Sequence, residues 1–487
     1  MSQDAHARFK RAFPGIALTI FLSAVDQTIV ATALPAIAAD MGGIERVSWI
    51  LVAYLVAATC AAPVFGQLGD VFGRKRLLFV ALAIFAAGCL GCALAPNLGA
   101  LISARIVQGF GGGALLTLAQ ALIGEAVPPR ERGRYQAWIA GSFAFASATG
   151  PVIGGYATQY LGWRSVFLVL LPVAVACAVL ARRLVAVPPA RRDAPLRFDW
   201  AGLFVFVVAV GCALVALDRA RRLDPAMMPA AVALAVLAVG ATIALLRIER
   251  AAADPLLPLA MFGEASIWRA YLLSACVVGA QVGMISFLPV WLQTVRGMAP
   301  GPSGLMLVAM SIGGASGAFF AGRMVARTGY AMRWPSLFLP VGVVLWAVLA
   351  LVAAELPLPA FLPLLAAAAF CSGTSYPVVQ VVAQAAAGRE RLGAASAGVA
   401  FSRNIGAATG TAVVAAVVFM AVSATGSGAA FQRLVAEGPG YLAALGPEAA
   451  AALRGELAEA FRGLFATAAV LTAVGAVLAW RVPLRRF

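Results

Sequence analysis

The chain has 487 residues, 62% of them hydrophobic and only 11% charged, with a formal net charge of +16. Soluble domains carry about 25% charged residues, so a soluble enzyme, a disordered chain and a secreted disulfide scaffold are all excluded. The basic balance does not point to nucleic acid, because most of the 36 Lys and Arg sit in loops between apolar runs, as in the cytoplasmic loops of membrane proteins.

A membrane-crossing helix takes roughly 20 apolar residues. Runs of that kind lie near 13–36, 48–66, 77–95, 98–122, 136–158, 164–186, 200–217 and 227–247, and again near 267–293, 303–321, 335–354, 358–382, 393–422 and 463–481. The chain therefore reads as an all-α polytopic membrane protein with fourteen spans. Arg8, Lys10 and Arg11 ahead of the first run, and Ala31-Thr32-Ala33 near its end, imitate a signal peptide. Asp26 within the run, and the similar runs that follow at once, make it a retained span. Counting cations in alternate segments puts 25 on the side of the N-terminus and 9 on the other, with Arg105 and Arg403 left within or at the edges of spans. The positive-inside bias then places both termini in the cytoplasm.

Gly66 and Gly73, seven apart and followed by Arg74-Lys75-Arg76, recur as Gly322 and Gly329 with Arg323, Arg327 and Arg333 around them. The repeat predicts two parallel six-span bundles, 1–190 and 263–487, separated by two inserted helices in 191–262, with a site at the bundle interface near mid-membrane. Segment 423–462 falls outside the membrane on this topology, and its helical rhythm (Leu453, Leu457, Phe461) suits a capping hairpin.

Of the 20 acidic residues, Asp26 alone sits mid-span. An ionised Asp there costs about 2.5–3.5 kcal/mol on insertion scales. Burial disfavours its charged form, which suits a proton carrier; the other role open to it is a structural partner for Gln, Thr or Arg105 on a neighbouring helix. Arg105, in the fourth run, either snorkels to headgroups or faces a central cavity and tunes Asp26. In Gly66–Arg76 the glycines permit a close-packed reversal, and Asp70 can pair with Arg74 or meet a helix N-terminus in one conformation only. A plain cationic anchor explains Arg74–Arg76 but not Asp70 with the glycines. Gly150 and Gly154, four apart around Pro151 and followed by Gly155, leave a bare face for a neighbouring helix, either sliding or statically packed. All seven cysteines lie in apolar runs, so Cys89 and Cys92 read as packing, and His6 is the only histidine. No metal or haem site is expected. Tyr54, Phe143, Trp291 and Tyr376 are candidates to line an apolar cavity, with Gln27, Gln108, Gln281 and Gln293 as its sparse polar groups.

Taken together these residues resemble the major facilitator superfamily, specifically its fourteen-span drug:proton antiporter branch. Asp26-Gln27-Thr28-Ile29-Val30-Ala31-Thr32-Ala33-Leu34-Pro35 resembles the branch's first-span motif, and Gly66–Arg76 the superfamily's loop signature. Arg105 with Gln108 and Gly109 resembles the fourth-span motif, and Gly150-Pro151-x-x-Gly154-Gly155 the antiporter signature. Trp163-Arg164 with Phe167, and Asp199-Trp200-x-Gly202, also follow the pattern.

The resemblance implies a major facilitator fold of two six-helix bundles plus two central helices, rocking about a cavity. It implies that Asp26, assisted by Arg105, exchanges a proton for substrate, and that Gly66, Asp70, Gly73, Arg74 and Glu125 belong to a gating charge relay. Gly150, Pro151, Gly154 and Gly155 would block proton leak. The departure is that no acid lies in the middle of 303–321 or 393–422, where members with divalent cationic substrates carry carboxylates. One mid-membrane Asp suits one proton per cycle and a small lipophilic or monovalent cationic substrate. The expected setting is a bacterial cytoplasmic (inner) membrane, with protons and lipid as partners, no nucleic acid, no cofactor beyond the proton gradient and a monomeric state; a periplasmic adaptor and outer-membrane channel are further partners to weigh. The rival functions are a proton symporter, an exporter dedicated to one metabolite and, with no cluster of carboxylates, histidines or nucleophiles to support it, a membrane-embedded enzyme.

Overall fold

A computed structural model describes residues 3–41, 48–182, 198–221, 228–252, 261, 263–298, 300–437, 445–484 and 486. The expected bundle junction at 190/191, and residue 262 at the second junction, lie outside the described residues. Among those described there is no β-strand, only an isolated bridge between Tyr330 and Arg486.

The first half contains α1 (Gln3–Met41), α2 (Ser48–Phe72), α3 (Arg74–Ala93), α4 (Leu98–Ala126), α5 (Pro129–Leu161) and the short pair α6 (Ser165–Leu168) and α7 (Leu170–Ala181). Next come α8 (Trp200–Arg221) and α9 (Met228–Ala251). The second half contains α10 (Ala265–Thr294), α11 (Pro300–Thr328), α12 (Arg333–Val352), α13 (Leu358–Gly373), α14 (Ser375–Ala387), α15 (Leu392–Ala424), α16 (Gly428–Glu437) and α17 (Pro447–Arg481). Eleven stretches among the described residues are long and apolar enough to cross a membrane, and two shorter apolar helices cover Ser165–Ala181 and Trp200–Ala216. One apolar core joins α1–α8 with part of α9, and two others lie within the second half.

Helix α5 is long but not among the eleven, because Arg, Glu, Gln, Ser and Gly interrupt it. It packs on α1 along one side and on α11 along the other, so protein rather than lipid covers much of its surface. Pro377 lacks the N–H that would bond to the Gly373 carbonyl, and the segment Leu358–Ala387 breaks at Thr374 into α13 and α14. At the other end of the chain α17 runs for 35 residues, about 50 Å, well beyond a roughly 30 Å hydrocarbon core. Its projecting part meets α16 through Phe431 on Phe461, with ring centroids 6.0 Å apart, and through a Ser427–Glu456 hydrogen bond. Within 423–462, where the sequence suggests a capping hairpin, α16 thus packs on the start of α17, and residues 438–444 lie outside the described residues.

The two halves meet in a symmetric way that the internal repeat explains. Gly73 and Gly329 both take positive φ, 91° and 72°, and end α2 and α11 with the same sharp reversal. One helical stretch back, Gly66 on α2 lies against the backbone of Gly393 on α15, and Gly322 on α11 against that of Gly133 on α5. The second long helix of each half is thus pressed onto the fifth of the other. A Cβ at Gly66 would stand 2.8 Å from the Gly393 carbonyl oxygen, so these contacts require bare backbone. The α8–α9 hairpin rests on this seam: α8 touches both α2 and α15, and Phe206 meets Phe401 at 5.4 Å.

Candidate functional site

Asp26 and Arg105 are both fully buried, each with 0% exposure, in the interior of the first half. Arg105 Nη1 lies 3.1 Å from both carboxylate oxygens. Gln108, one turn further along α4, completes the arrangement: its Nε2 donates to Asp26 Oδ1 at 2.9 Å and its Oε1 accepts from Arg105 Nη1 at 2.8 Å. Both neighbours donate to the carboxylate oxygens. Tyr54 on α2 lies under the guanidinium, 4.3 Å from ring centroid to Cζ, and Phe167 flanks it at 6.0 Å. The Tyr54 hydroxyl and Arg105 Nη2 are buried without hydrogen-bond partners. Cys89 and Cys92 on α3 both contact the Gln108 amide, at 3.1 and 3.3 Å, which gives the C-x-x-C a packing and hydrogen-bonding place in this cluster. Asp26 therefore sits in a closed polar cluster rather than on the wall of an open chamber.

The neighbouring turn of α1 carries the contact with α5. Thr28 Oγ1 donates to the carbonyls of Val25 and Ala146 at 3.0 and 3.3 Å. A Cβ on Gly150 would overlap Thr28, and one on Gly154 would stand 2.5 Å from the Ile29 carbonyl oxygen. Gly155 faces open space and Pro151 is exposed, so those two take no part in the close approach. Gly154→Val is expected to push α5 off α1, costing about 1–3 kcal/mol of overpacking, whereas Gly155→Ala should be close to neutral. Thermal unfolding of the two purified variants compares them directly.

The Gly66–Arg76 turn builds a second charged cluster. Arg74 Nη2 meets Asp70 Oδ1 at 2.5 Å and Arg74 Nη1 meets Glu125 Oε2 at 3.0 Å, tying α2, α3 and α4 together. Asp70 Oδ1 also accepts from the Gly393 N–H at 3.1 Å, so a carboxylate of one half caps the start of α15 in the other. The second copy of the repeat has Ala326 at the position matching Asp70, which confines the charged latch to one of the two seams. Two further links cross at or below mid-helix: Gln384 Nε2 donates to the Gln120 carbonyl at 3.0 Å, and Asn404 Nδ2 to Thr59 Oγ1 at 2.8 Å. Gln136, Gln380 and Ser396 extend the buried amide network around the first of these. The end bearing the Gly66–Arg76 turn is thereby closed. A cavity of about 550 Å³ bordered by Pro129, Glu264 and Ala386 lies at this same end, away from Asp26.

At the opposite end, Asp40 accepts from the Trp163 indole N–H at 2.9 Å and from Arg164 at 3.0 Å. The indole bond first, and then the guanidinium, hold its carboxyl below the usual carboxylate range. This clasp fastens the end of α1 to the α5–α6 turn and accounts for the Trp163-Arg164 pattern.

The expected cavity residues do not converge. Tyr54 and Gln108 belong to the Asp26 cluster, Gln27 is exposed, and Phe143 is half-buried against the first-half core. Trp291 is 1% exposed and packed between Phe361 and Phe465 at 5.3 and 5.4 Å, and it borders a cavity of about 220 Å³ with Leu349, Glu355 and Arg462, apart from the Asp26 cluster. Gln293 is held by Ser303 at 3.0 Å, and Gln281 is buried beside Gly314. Tyr376 lies under Arg403, a residue that sequence reasoning left without a role. The amides at Gln120, Gln136, Gln380 and Gln384 and the Thr59–Asn404 pair were also missed; their signal was a polar side chain within an apolar run.

Two helical halves with matched crossed seams, a closed end and a buried Asp–Arg pair define a polytopic helical membrane protein of the two-bundle transporter fold. The chain belongs to the Major Facilitator Superfamily, whose family profile matches residues 16–411. It is 34% identical over 412 residues to an uncharacterised MFS-type transporter of Mycobacterium tuberculosis, a match covering 83% of this chain and 58% of that one. It is 28% identical over 409 residues to the multidrug transporter protein MdtP of Bacillus subtilis, covering 83% and 74%, and 33% identical over 339 residues to the efflux pump FUS6 of Gibberella moniliformis, covering 68% and 60%. The chain thus spans a little under three fifths of the mycobacterial relative's length. Among solved structures it is similar to the human organic anion transporter MFSD10, with a TM-score of 0.67 and 16% identity over 96% of this chain and 99% of that one. It is also similar to the proton:xylose symporter XylE, at 0.59 and 15% over 98% and 96%. At these identities the two structures share the fold and nothing narrower.

Proposed function

We propose that the protein is a proton-coupled antiporter that exports small amphipathic or lipophilic compounds across a bacterial cytoplasmic membrane by alternating access. The single observation that carries this reading is the sealed Asp26–Arg105–Gln108 cluster, a titratable carboxylate with a matched cation, joined through α1 to the α5 contact. Relatives named as multidrug transporters and efflux pumps support export as the direction. In this reading fourteen spans are formed by the eleven long helices, α5 and the two shorter apolar helices, arranged as bundles of 1–190 and 263–487 with the α8–α9 pair between them. Both termini are cytoplasmic, so the closed end with the Asp70 latch is the cytoplasmic one and the state is outward-facing. One inward proton driven by 100 mV supplies about 2.3 kcal/mol. The chain acts as a monomer with no cofactor, either alone or delivering to a periplasmic adaptor and outer-membrane channel.

In the cycle, a proton entering from outside neutralises Asp26 and releases its hold on Arg105. Loss of that pair loosens α1 against α4, and α5 moves with α1 through the Thr28–Gly150 and Ile29–Gly154 contacts. The far end then opens as Asp70 leaves the start of α15. A growth screen of an efflux-deficient strain supplies an exported compound, and everted vesicles loaded with protons test the exchange. Adding that compound should release lumenal protons; a symporter would carry proton and compound the same way, and an unchanged lumenal pH would contradict coupling.

A further inference from the structure

Resting on the efflux reading above, we propose that Arg403 is the recognition group for an anionic headgroup, and that the cargo is an amphipathic organic anion. Arg403 lies on α15 about 16 Å from the helix start, close to half of a roughly 30 Å hydrocarbon core. Its place at the boundary between the halves is fixed by Asn404, the next residue, which donates to Thr59 of α2 at 2.8 Å. Tyr54, which supports Arg105, lies about a turn and a half along α2 from Thr59.

The other buried cations among the described residues either have acids or stand near helix ends, where Arg132 donates to the Val127 and Gly124 carbonyls and Arg269 and Arg296 also keep an unpartnered Nε. Arg105 has Asp26, and Arg74 has Asp70 and Glu125. Arg296 stands at a helix end and donates to the Ala353 and Leu356 carbonyls, and Arg269 donates to the Arg481 carbonyl. Arg403 is in none of the described ion pairs. It donates from Nη2 to the Tyr376 carbonyl at 3.1 Å and lies 5.7 Å from that ring's centroid, while its Nε is buried with no partner. That carbonyl and the ring leave Nε unpartnered and the charge without an acidic partner among the described residues. A charge at this depth without a counter-charge is expensive, and such residues mark substrate paths. The planar guanidinium matches carboxylate, sulfonate or phosphate, and an ammonium-bearing cargo would be repelled. Beside it the break between α13 and α14 supplies the irregular backbone that transporter sites are built on. The missing mid-span carboxylates alone suit a neutral or monovalent cationic cargo; Arg403 adds a preference for negative charge. An anion leaving as a proton enters also moves two charges down the potential, so the potential alone should drive it.

The test uses two probes of nearly identical shape, 8-anilinonaphthalene-1-sulfonate and its uncharged counterpart N-phenyl-1-naphthylamine, with the full chain in nanodiscs and empty nanodiscs as the reference. The sulfonate should bind saturably and at least tenfold more tightly than the neutral probe. Arg403→Gln should erase that preference while leaving the neutral probe's affinity within about twofold, and Arg403→Lys should keep part of it. Absence of saturable sulfonate binding, equal or tighter binding of the neutral probe, or equal weakening of both by Arg403→Gln overturns the proposal. Should Arg403→Gln fail to fold, the wild-type preference and the Lys variant decide. Uptake of both probes and of ethidium by everted vesicles separates the two readings. Transport of ethidium and the neutral probe without the sulfonate sinks the anion assignment alone, whereas charge-selective binding with no transport of any probe sinks the efflux reading alone.

Discussion

Asp26→Asn is expected to reduce proton-driven exchange to background while the protein still inserts. The substitution keeps the shape and the Gln108 contact but leaves Arg105, at 0% exposure, without its counter-charge. Removing one partner of a buried pair costs about 3–5 kcal/mol, so the variant should also unfold at lower temperature. Stability and coupling can be separated by adding Arg105→Gln: with both charges gone, much of the lost stability returns, as for other buried pairs replaced by uncharged groups. Exchange should not return, because no group is left to carry the proton. If the double variant recovers both stability and proton-coupled exchange, the pair is a structural link and the carrier lies elsewhere.

Gly66→Val should hold the transporter with its latched end open. The α2–α15 seam closes by backbone contact, with the Gly66 position 2.8 Å from the Gly393 carbonyl oxygen and 3.2 Å from the Ala397 Cβ once a Cβ is added. Valine adds a Cβ and two methyl groups where even the Cβ is too close. Overpacking of about 1–3 kcal/mol applied to the closed state alone shifts the equilibrium roughly 5–150-fold towards the open one. Ser396, 2% exposed in the closed seam, reports the change when replaced by cysteine in a background lacking the seven native thiols. Labelling by an impermeant maleimide, in vesicles that expose this end, should rise from slow to rapid with Gly66→Val. Unchanged labelling together with retained exchange would show that the seam tolerates a side chain and does not gate.

Much of this was legible in one dimension because charge is scarce in an apolar run. Asp26, Arg105 and Asp70 stand out from their surroundings; Arg105 and Asp70 each pair with a residue near it in sequence, Gln108 and Arg74, whereas the partners of Asp26 lie 79 and 82 positions away. The repeated glycine pairs predicted two halves, and they mark the reversals and the crossed seams. What the sequence concealed depends on which helices face one another. The end of α5 falls within three residues of the expected run but its start lies seven residues earlier, and its polar content makes sense only with α1 and α11 packed on it. Nothing local reveals that Trp291, Phe361 and Phe465, on three separate helices, form one ring cluster. Gly155 resembled Gly150 and Gly154, yet one step around the helix turns it away from α1. The Gln120–Gln384 link joins positions 264 apart, beyond any local pattern. Arg403 was visible as a cation in a span, but only the fold shows that no described acid answers it.

The account depends on Asp26 gaining and losing a proton during the cycle. Infrared difference titration of the purified chain in nanodiscs measures this directly, through the carbonyl stretch that a carboxyl group shows only when protonated. A reversible protonated-carboxyl band should appear as the pH falls through the range in which vesicles exchange protons, and Asp26→Asn should remove it. A spectrum in which that band is missing throughout the transporting range, or survives unchanged in Asp26→Asn, would contradict the account.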